Sequence, residues 1–143
     1  MIPFLTYARF VKVEHTVFSL PLIFAGVCLA NPWPSAPLVL LVLLTAIGGR
    51  VTAMALNRLI DMELDRRNPR TRMRELPRGA MQAWEGRLVV VVAAAVYVTS
   101  AALISPMCLV LSPIPLALFI VYPYLKRFTS LAHLGLGLAW SMA

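Results

Sequence analysis

The sequence predicts an all-α protein, a polytopic membrane helical bundle with four transmembrane helices and the start of a fifth. Hydrophobic types make up 60% of the 143 residues and charged types only 13%, whereas soluble domains average about 25% charged residues. Two runs, 16–49 and 88–125, contain no Asp, Glu, Lys or Arg. Because one bilayer crossing needs about 20 apolar residues, each run is long enough for two crossings joined by a turn.

Turn residues divide each uncharged run into two helices. The first run is interrupted at 31–34 (Asn-Pro-Trp-Pro) and the second at 105–106 (Ser-Pro), and these residue types mark turns. The expected bounds of the four crossings are 13–31, 36–57, 86–105 and 107–125. The uncharged residues 128–143 look like the opening of a fifth crossing, so we expect an incomplete single membrane domain over 1–143 that ends inside a membrane helix.

The N-terminus also permits a second interpretation, as a cleaved signal peptide. Arg9 and Lys12 would form its basic region, and the apolar run to Leu29 its hydrophobic core. Glu14 and Pro21 fit that pattern poorly, and the second crossing would remain in either case. We therefore favour a first membrane helix.

Most charged residues lie between positions 57 and 87. With four crossings, the N-terminus, the loop 58–85 with its Asp/Arg-rich motif, and the Lys126-Arg127 end share one side, which the positive-inside rule assigns to the cytoplasm. We expect a multi-pass protein of the cell inner (plasma) membrane whose N-terminus and active-site loop are cytoplasmic. The net charge of +7 would suggest a nucleic-acid partner in a soluble protein, but here it follows from this topology and no nucleic-acid partner is expected.

A polar stripe marks the end of the second crossing. If the chain is continuously helical, Arg50, Asn57, Asp61 and Asp65 lie within about 80° of one another. Ionisable groups at membrane depth cost about 2.5–3.5 kcal/mol each and normally face a cavity or a partner. A solvated helix end with charges at i and i+4 is the plainer explanation. The more specific one is a Mg²⁺ site, because two carboxylates and an amide oxygen on one face are the hard ligands that Mg²⁺ prefers.

Basic residues follow the stripe directly. Five of the nine residues in 66–74 are Arg, and guanidinium groups bind phosphates through bidentate hydrogen bonds. Tyr122 and Lys126, at i and i+4, are placed to contact the same diphosphate. A positive-inside loop explains the arginines taken alone, and an interfacial Tyr/Lys pair explains the second motif. Together with the acidic stripe, they indicate a metal-bridged diphosphate at the membrane surface.

Three motifs, in this order and spacing, resemble the UbiA-type intramembrane aromatic prenyltransferases, especially the 4-hydroxybenzoate polyprenyltransferase branch. They are Asn57-x-x-x-Asp61-x-x-x-Asp65, then Asn68-Pro69-Arg70-Thr71-x-x-Arg74-x-Leu76-Pro77-x-Gly79, then Tyr122-Pro123-Tyr124-x-Lys126-Arg127. The segment Lys12-x-Glu14-His15-Thr16 and the placing of Arg50 also look like that branch, so the similarity spans nearly the whole chain. The chain departs from the family pattern at Arg58, where some members have an acid, and at Glu75 and Arg78.

The resemblance implies a nine-helix fold around a cavity that opens sideways to lipid, with two aspartate-rich motifs holding Mg²⁺ and the prenyl diphosphate. This chain carries the first motif only, so the resemblance identifies it as the N-terminal half of such a fold. The second motif is expected on a later helix.

Roles carry over by matched position. The implied metal ligands, which are also the implied catalytic residues, are Asp61, Asp65 and Asn57. The implied diphosphate contacts are Arg70, Arg74, Lys126, Tyr122 and Lys12. Arg50 is expected to face the carboxylate of the aromatic co-substrate. The implied partners are a polyprenyl diphosphate, a small aromatic acid such as 4-hydroxybenzoate, and membrane lipid, in ubiquinone or menaquinone biosynthesis.

Two other functions fit parts of the sequence. A small membrane transporter subunit would also contain intramembrane charges, but it predicts charges spread through several crossings, whereas here they concentrate at one mouth. A catalytically inactive, half-length family member or membrane scaffold is expected if the natural chain ends at Ala143.

Overall fold

The computed structural model describes residues 3–128, with side chains for 5–13 and 20–128. Residues 129–143, which hold most of the expected fifth crossing, and the side chains of Glu14, His15 and Thr16 lie outside the described part. Within it, the regular structure is entirely helical. The helices are α1 (Pro3–Val11), α2 (Val13–Ala30), α3 (Ala36–Ile60), α4 (Met62–Arg67), α5 (Ala83–Ile104), α6 (Pro106–Leu111) and α7 (Pro113–Phe128).

The all-α prediction is confirmed, and the long helices lie at the segments expected to cross the membrane. Helices α3 and α5, and the stretch Pro106–Phe128 formed by α6 and α7, are long and apolar enough to span a bilayer, which makes the chain a multi-pass membrane protein. Helix α3 extends three residues beyond its expected end, to Ile60. The count of four crossings and the single-domain organisation stay predictions.

Local sequence explains where the helices begin. The Ser105 side chain accepts a hydrogen bond from the Cys108 N–H (3.1 Å), and Pro106 opens α6, as expected for an N-cap followed by proline. Gln82 and Glu85 form a reciprocal capping box at the start of α5. The turn residues Ser105 and Pro106 therefore form a helix boundary, and residues 31–34 lie between the end of α2 and the start of α3.

Helix α3 is the centre of the bundle and contacts α1, α2, α4, α5 and α7. It packs tightly against α5 at Gly48, where an added Cβ would lie 2.8 Å from the Tyr97 backbone nitrogen and 2.9 Å from the Ala93 carbonyl oxygen. Small residues allow helix backbones in membranes to approach this closely. The packing of α3 on α5 thus depends on the absence of a side chain at Gly48.

A small core closes one end of the bundle. We call this end, which carries residues 57–87 and the Lys126-Arg127 pair, the charged end. The core side chains are Phe10, Ala55, Leu76 and Met81. The Tyr7 hydroxyl donates to Glu85 Oε1 at 2.7 Å, and this hydrogen bond raises the pKa of the Tyr7 phenol. Helix α1 is thereby tied to the start of α5.

Candidate functional site

A cavity of about 310 Å³ opens at the charged end. Its lining consists of Asn57, Asp61, Leu64, Asp65, Asn68, Arg70, Thr71, Arg74 and Lys126. Six of these nine residues are among the nine site residues expected from the sequence. The cavity therefore joins the end of α3, helix α4, the following loop and the end of α7.

The residues of the polar stripe stay aligned although the helix is interrupted at Asp61. Helix α3 ends at Ile60, and Asp61 has φ −89° and ψ −1° before α4 begins. The Asp61 N–H still donates to the Asn57 carbonyl (3.1 Å), and the Asp65 N–H to the Asp61 carbonyl (2.8 Å). Because hydrogen bonding from i to i−4 continues through the break, Asn57, Asp61 and Asp65 line the same cavity.

Both stripe carboxylates are buried and paired with cations. Asp61 is 4% exposed and Asp65 is 7% exposed, and buried charges of this kind need partners. Arg74 Nη1 donates to Asp65 Oδ2 at 2.6 Å. Lys126 Nζ donates to Asn57 Oδ1 at 2.7 Å and also to Asp61 Oδ2. The ammonium group thus bonds two of the oxygens that were predicted to bind Mg²⁺.

Arg127 was not predicted as a site residue, but it contacts Asp61 from outside the cavity lining. Its Nη2 donates to Asp61 Oδ1 (3.3 Å) and to the Ile60 carbonyl (2.9 Å), and its guanidinium lies 5.1 Å from the centre of the Tyr124 ring. Neighbours at i and i+1 do not face each other on a helix, so spacing pointed to Lys126 alone. The available signal was that Arg127 follows Lys126 in the third motif.

The loop after α4 directs two of the five clustered arginines to the cavity. Asn68 Oδ1 accepts from the Arg70 N–H at 3.0 Å, and Thr71 Oγ1 donates to the Asp65 carbonyl at 3.1 Å. Such Asx and threonine contacts set the path of a turn. Arg70 and Arg74 line the cavity as a result.

The other three arginines of the cluster lie outside the cavity lining. Arg66 and Arg67 are exposed and pair with Glu63 at 3.3 and 3.4 Å, and Arg72 is exposed as well. The cavity lining does not include them. They match the alternative explanation of the cluster as a positive-inside loop.

Three expected site residues lie apart from the cavity lining. Arg50 is half-buried on α3, about 10 Å along the helix from Asn57. Lys12 adopts a left-handed backbone, with φ 49° and ψ 62°, between α1 and α2. Tyr122 lies beside Lys126, with 5.8 Å between the ammonium nitrogen and the ring centre. The roles expected for these three stay predictions.

The donor set fits Mg²⁺ that is bound together with a phosphate. Among the described side chains, those of 5–13 and 20–128, no group of three or more His, Cys, Asp or Glu is placed to hold a metal ion. Mg²⁺ rarely uses such an all-protein cage, and instead takes one or two carboxylates plus water and phosphate oxygens. Asp61, Asp65 and Asn57 supply oxygens of this kind on one face of the cavity.

The charges of the cavity favour an anionic ligand. Two carboxylates line it, against the three cations of Arg70, Arg74 and Lys126. Guanidinium and ammonium groups carry five and three N–H donors respectively, so a single ion pair leaves donors for further acceptors. The cavity therefore offers both positive charge and hydrogen-bond donors to a phosphate-bearing ligand.

Comparison with known proteins identifies similar chains. A family model described as the UbiA prenyltransferase family matches residues 19–143. The 4-hydroxybenzoate octaprenyltransferase of Coxiella burnetii (strain CbuK_Q154) is 31% identical over 121 residues, which cover 85% of this chain and 42% of that protein. The protein of the same name from Vibrio atlanticus (strain LGP32) is 30% identical over 123 residues, covering 86% and 43%.

A solved structure is similar in fold as well as in sequence. It is described as the apo structure of a UbiA homolog from Aeropyrum pernix K1, and it matches with a TM-score of 0.81 and 39% identity. The match covers 90% of this chain and 47% of that one. The chain thus spans less than half the length of this structure and of the two octaprenyltransferases.

Proposed function

Because the chain belongs to the UbiA prenyltransferase family, as its motifs predicted, we propose that the whole protein transfers a polyprenyl group from a polyprenyl diphosphate to an aromatic acceptor. The proposed acceptor is a quinone precursor such as 4-hydroxybenzoate, and the proposed pathway is ubiquinone or menaquinone biosynthesis. The observation that carries the proposal is the cavity at the charged end, in which six of the matched positions meet. The proposed location is the inner membrane, with this end in the cytoplasm.

The cavity is the proposed binding site for the diphosphate. Arg70, Arg74 and Lys126 would donate hydrogen bonds to phosphate oxygens, since charge-assisted hydrogen bonds of this kind are short and strong. Asp61, Asp65 and Asn57 would hold Mg²⁺, which when bound neutralises charge that develops on the leaving diphosphate. These basic side chains would stabilise the same charge as the allylic carbon–oxygen bond breaks.

The acceptor site is proposed to lie deeper along α3. Arg50 lies away from the charged end, within the apolar span, and would pair with the acceptor carboxylate there. The diphosphate leaves with the bonding electron pair, the allylic carbon then bonds to a ring carbon beside the hydroxyl group, and the ring loses the displaced proton. Apolar helices suit this reaction because water would trap the allylic cation.

The decisive experiment removes one proposed metal ligand at a time. Membranes containing the full-length protein are given labelled prenyl diphosphate, 4-hydroxybenzoate and Mg²⁺, and prenylated product is counted. Asp61→Asn and Asp65→Asn should each reduce turnover by about 10²-fold or more, since each removes a charge that holds the metal beside the leaving group. Membrane insertion should be unchanged.

The matched control is Glu63→Gln, which neutralises an exposed carboxylate on α4 that pairs with Arg66 and Arg67. This variant should retain wild-type turnover. Full activity in both aspartate variants would exclude the metal role of the stripe.

A further inference from the structure

A further ion pair, between Arg58 and Glu75, is buried outside the cavity lining. Arg58 Nη1 and Glu75 Oε2 are 2.6 Å apart, and their side chains are only 6% and 9% exposed. Arg58 also donates to the Arg9 carbonyl at 3.3 Å, and its guanidinium lies 5.8 Å from the centre of the Phe10 ring. Neither member of the pair lines the cavity. They are two of the three positions at which the sequence departs from the family pattern.

Stability alone is a weak reason for such a pair. Removing two charges from water costs several kcal/mol per ion, and well-packed apolar residues of similar volume are often as stabilising. The best-attested use of a buried ion pair is to fix the register of one segment against another. The segment that Glu75 belongs to therefore matters.

Glu75 is held by both its backbone and its side chain within the loop that carries Arg74. Its carbonyl accepts hydrogen bonds from the Ala80 N–H (2.9 Å) and the Met81 N–H (3.2 Å), and Leu76 and Met81 are buried in the small core. Arg74, the residue immediately before Glu75, donates to Asp65. Two adjacent loop residues thus make ion pairs of opposite polarity with the α3–α4 segment.

The polarity of these contacts defines one register. Arg58 and Asp65 are seven residues apart, about two helical turns. Arg58 pairs with Glu75, and Asp65 pairs with Arg74. Sliding the loop by one residue would place Arg74 against Arg58, or Glu75 against Asp65. Both alternatives bring like charges together and are unfavourable.

We propose that Arg58 and Glu75 are positioning residues that hold the Arg74 guanidinium at the cavity and so set its affinity for a diphosphate. This inference rests on the proposed function, because the ligand is the diphosphate of the same site. The ion pair that Arg74 itself makes is with Asp65, a proposed metal ligand. If Asp65 held Mg²⁺ instead of Arg74, the Arg58–Glu75 pair would still hold the loop in place.

The first test measures binding of inorganic pyrophosphate by titration calorimetry, with Mg²⁺ present and the full-length protein in detergent. Glu75→Gln should weaken binding by about tenfold or more, because small displacements of a positioning group have effects of this size. Glu63→Gln, which neutralises an exposed carboxylate on α4, should bind as the wild type does. Wild-type affinity in Glu75→Gln would overturn the proposal.

The second test asks whether Glu75 acts through Arg74. In an Arg74→Ala background, Glu75→Gln should cause no further loss, because residues that act through a shared group are not additive. A merely structural role predicts the same factor in both backgrounds, and that result would refute the positioning role.

A further variant guards against loss of the fold, since Glu75→Gln leaves Arg58 buried without its counter-charge. Arg58→Gln/Glu75→Gln removes both charges and should restore thermal stability, while pyrophosphate affinity stays below that of the wild type. Recovery of both stability and affinity would contradict the inference. If the wild-type protein itself fails to bind pyrophosphate, the proposed diphosphate site fails, and the positioning role fails with it.

Discussion

The Lys126 ammonium group supplies a positive charge at the polar stripe. Its ammonium group bonds Asn57 Oδ1 and Asp61 Oδ2, two oxygens that we propose for Mg²⁺. A metal ion and an ammonium group at the same oxygens repel each other. We therefore expect metal and diphosphate to bind cooperatively, because phosphate oxygens offer the ammonium group an alternative partner.

Replacing Lys126 should have opposite effects on the two ligands. Lys126→Gln removes the competing charge, so affinity for Mn²⁺, used as a probe for Mg²⁺, should rise several-fold in the absence of diphosphate. Affinity for pyrophosphate should fall, because a charge-assisted donor is lost. Electron paramagnetic resonance gives the first quantity and calorimetry the second.

Arg87→Gln provides the control, since Arg87 is an exposed basic residue on α5 outside the cavity lining. It should leave both affinities unchanged. A fall in Mn²⁺ affinity in Lys126→Gln would show that the ammonium group supports the metal site instead of competing with it.

The long helices were predictable because the length of an apolar run is limited by bilayer thickness. Helix α3 extended further than expected because its polar end, from Asn57 to Ile60, remains helical. The stripe was also predictable, since i, i+4 spacing is a local property. The Arg58–Glu75 and Arg127–Asp61 contacts join residues 17 and 66 positions apart, and single-sequence spacing contains no signal for packing of that range.

The approach of α3 to α5 can be tested at Gly48. Gly48→Val would place side-chain carbon against the Tyr97 and Ala93 backbone atoms, so the helices must separate. Overpacking of this kind costs about 1–3 kcal/mol, and the thermal unfolding midpoint in detergent should fall. Gly26→Val is the matched control, because a Cβ at Gly26 meets no atom within 4 Å. Equal midpoints for the two variants would contradict the close packing.

In the described part of the molecule, most residues of the three membrane-capable stretches are not buried. Only 17–22% of the residues in the three spanning windows are buried, which is expected where helices face lipid instead of water. Most of the charged residues, by contrast, lie at the charged end. This separation is the basis for placing the charged end in the cytoplasm.

Side-specific labelling tests that orientation. In a background with Cys28 and Cys108 replaced by Ser, Met73→Cys should react with a membrane-impermeant maleimide only when the cytoplasmic face is accessible. Trp33→Cys should react only from the opposite face. Both wild-type side chains are well exposed, at 66% and 92%, so accessibility does not limit either reaction. Labelling of both sites from one face would exclude the proposed topology.

A proline interrupts the hydrogen bonding of α7 just before its last turn. Pro123 lies inside this helix and has no N–H to donate to the carbonyl of Phe119, so the helix is weakened just before Lys126 and Arg127. The orientation of the last turn then depends on the contacts that Lys126 and Arg127 make with Asn57, Ile60 and Asp61. We therefore expect the last turn of α7 to accommodate exchange of Lys126 between carboxylate and phosphate by a local bend at Pro123.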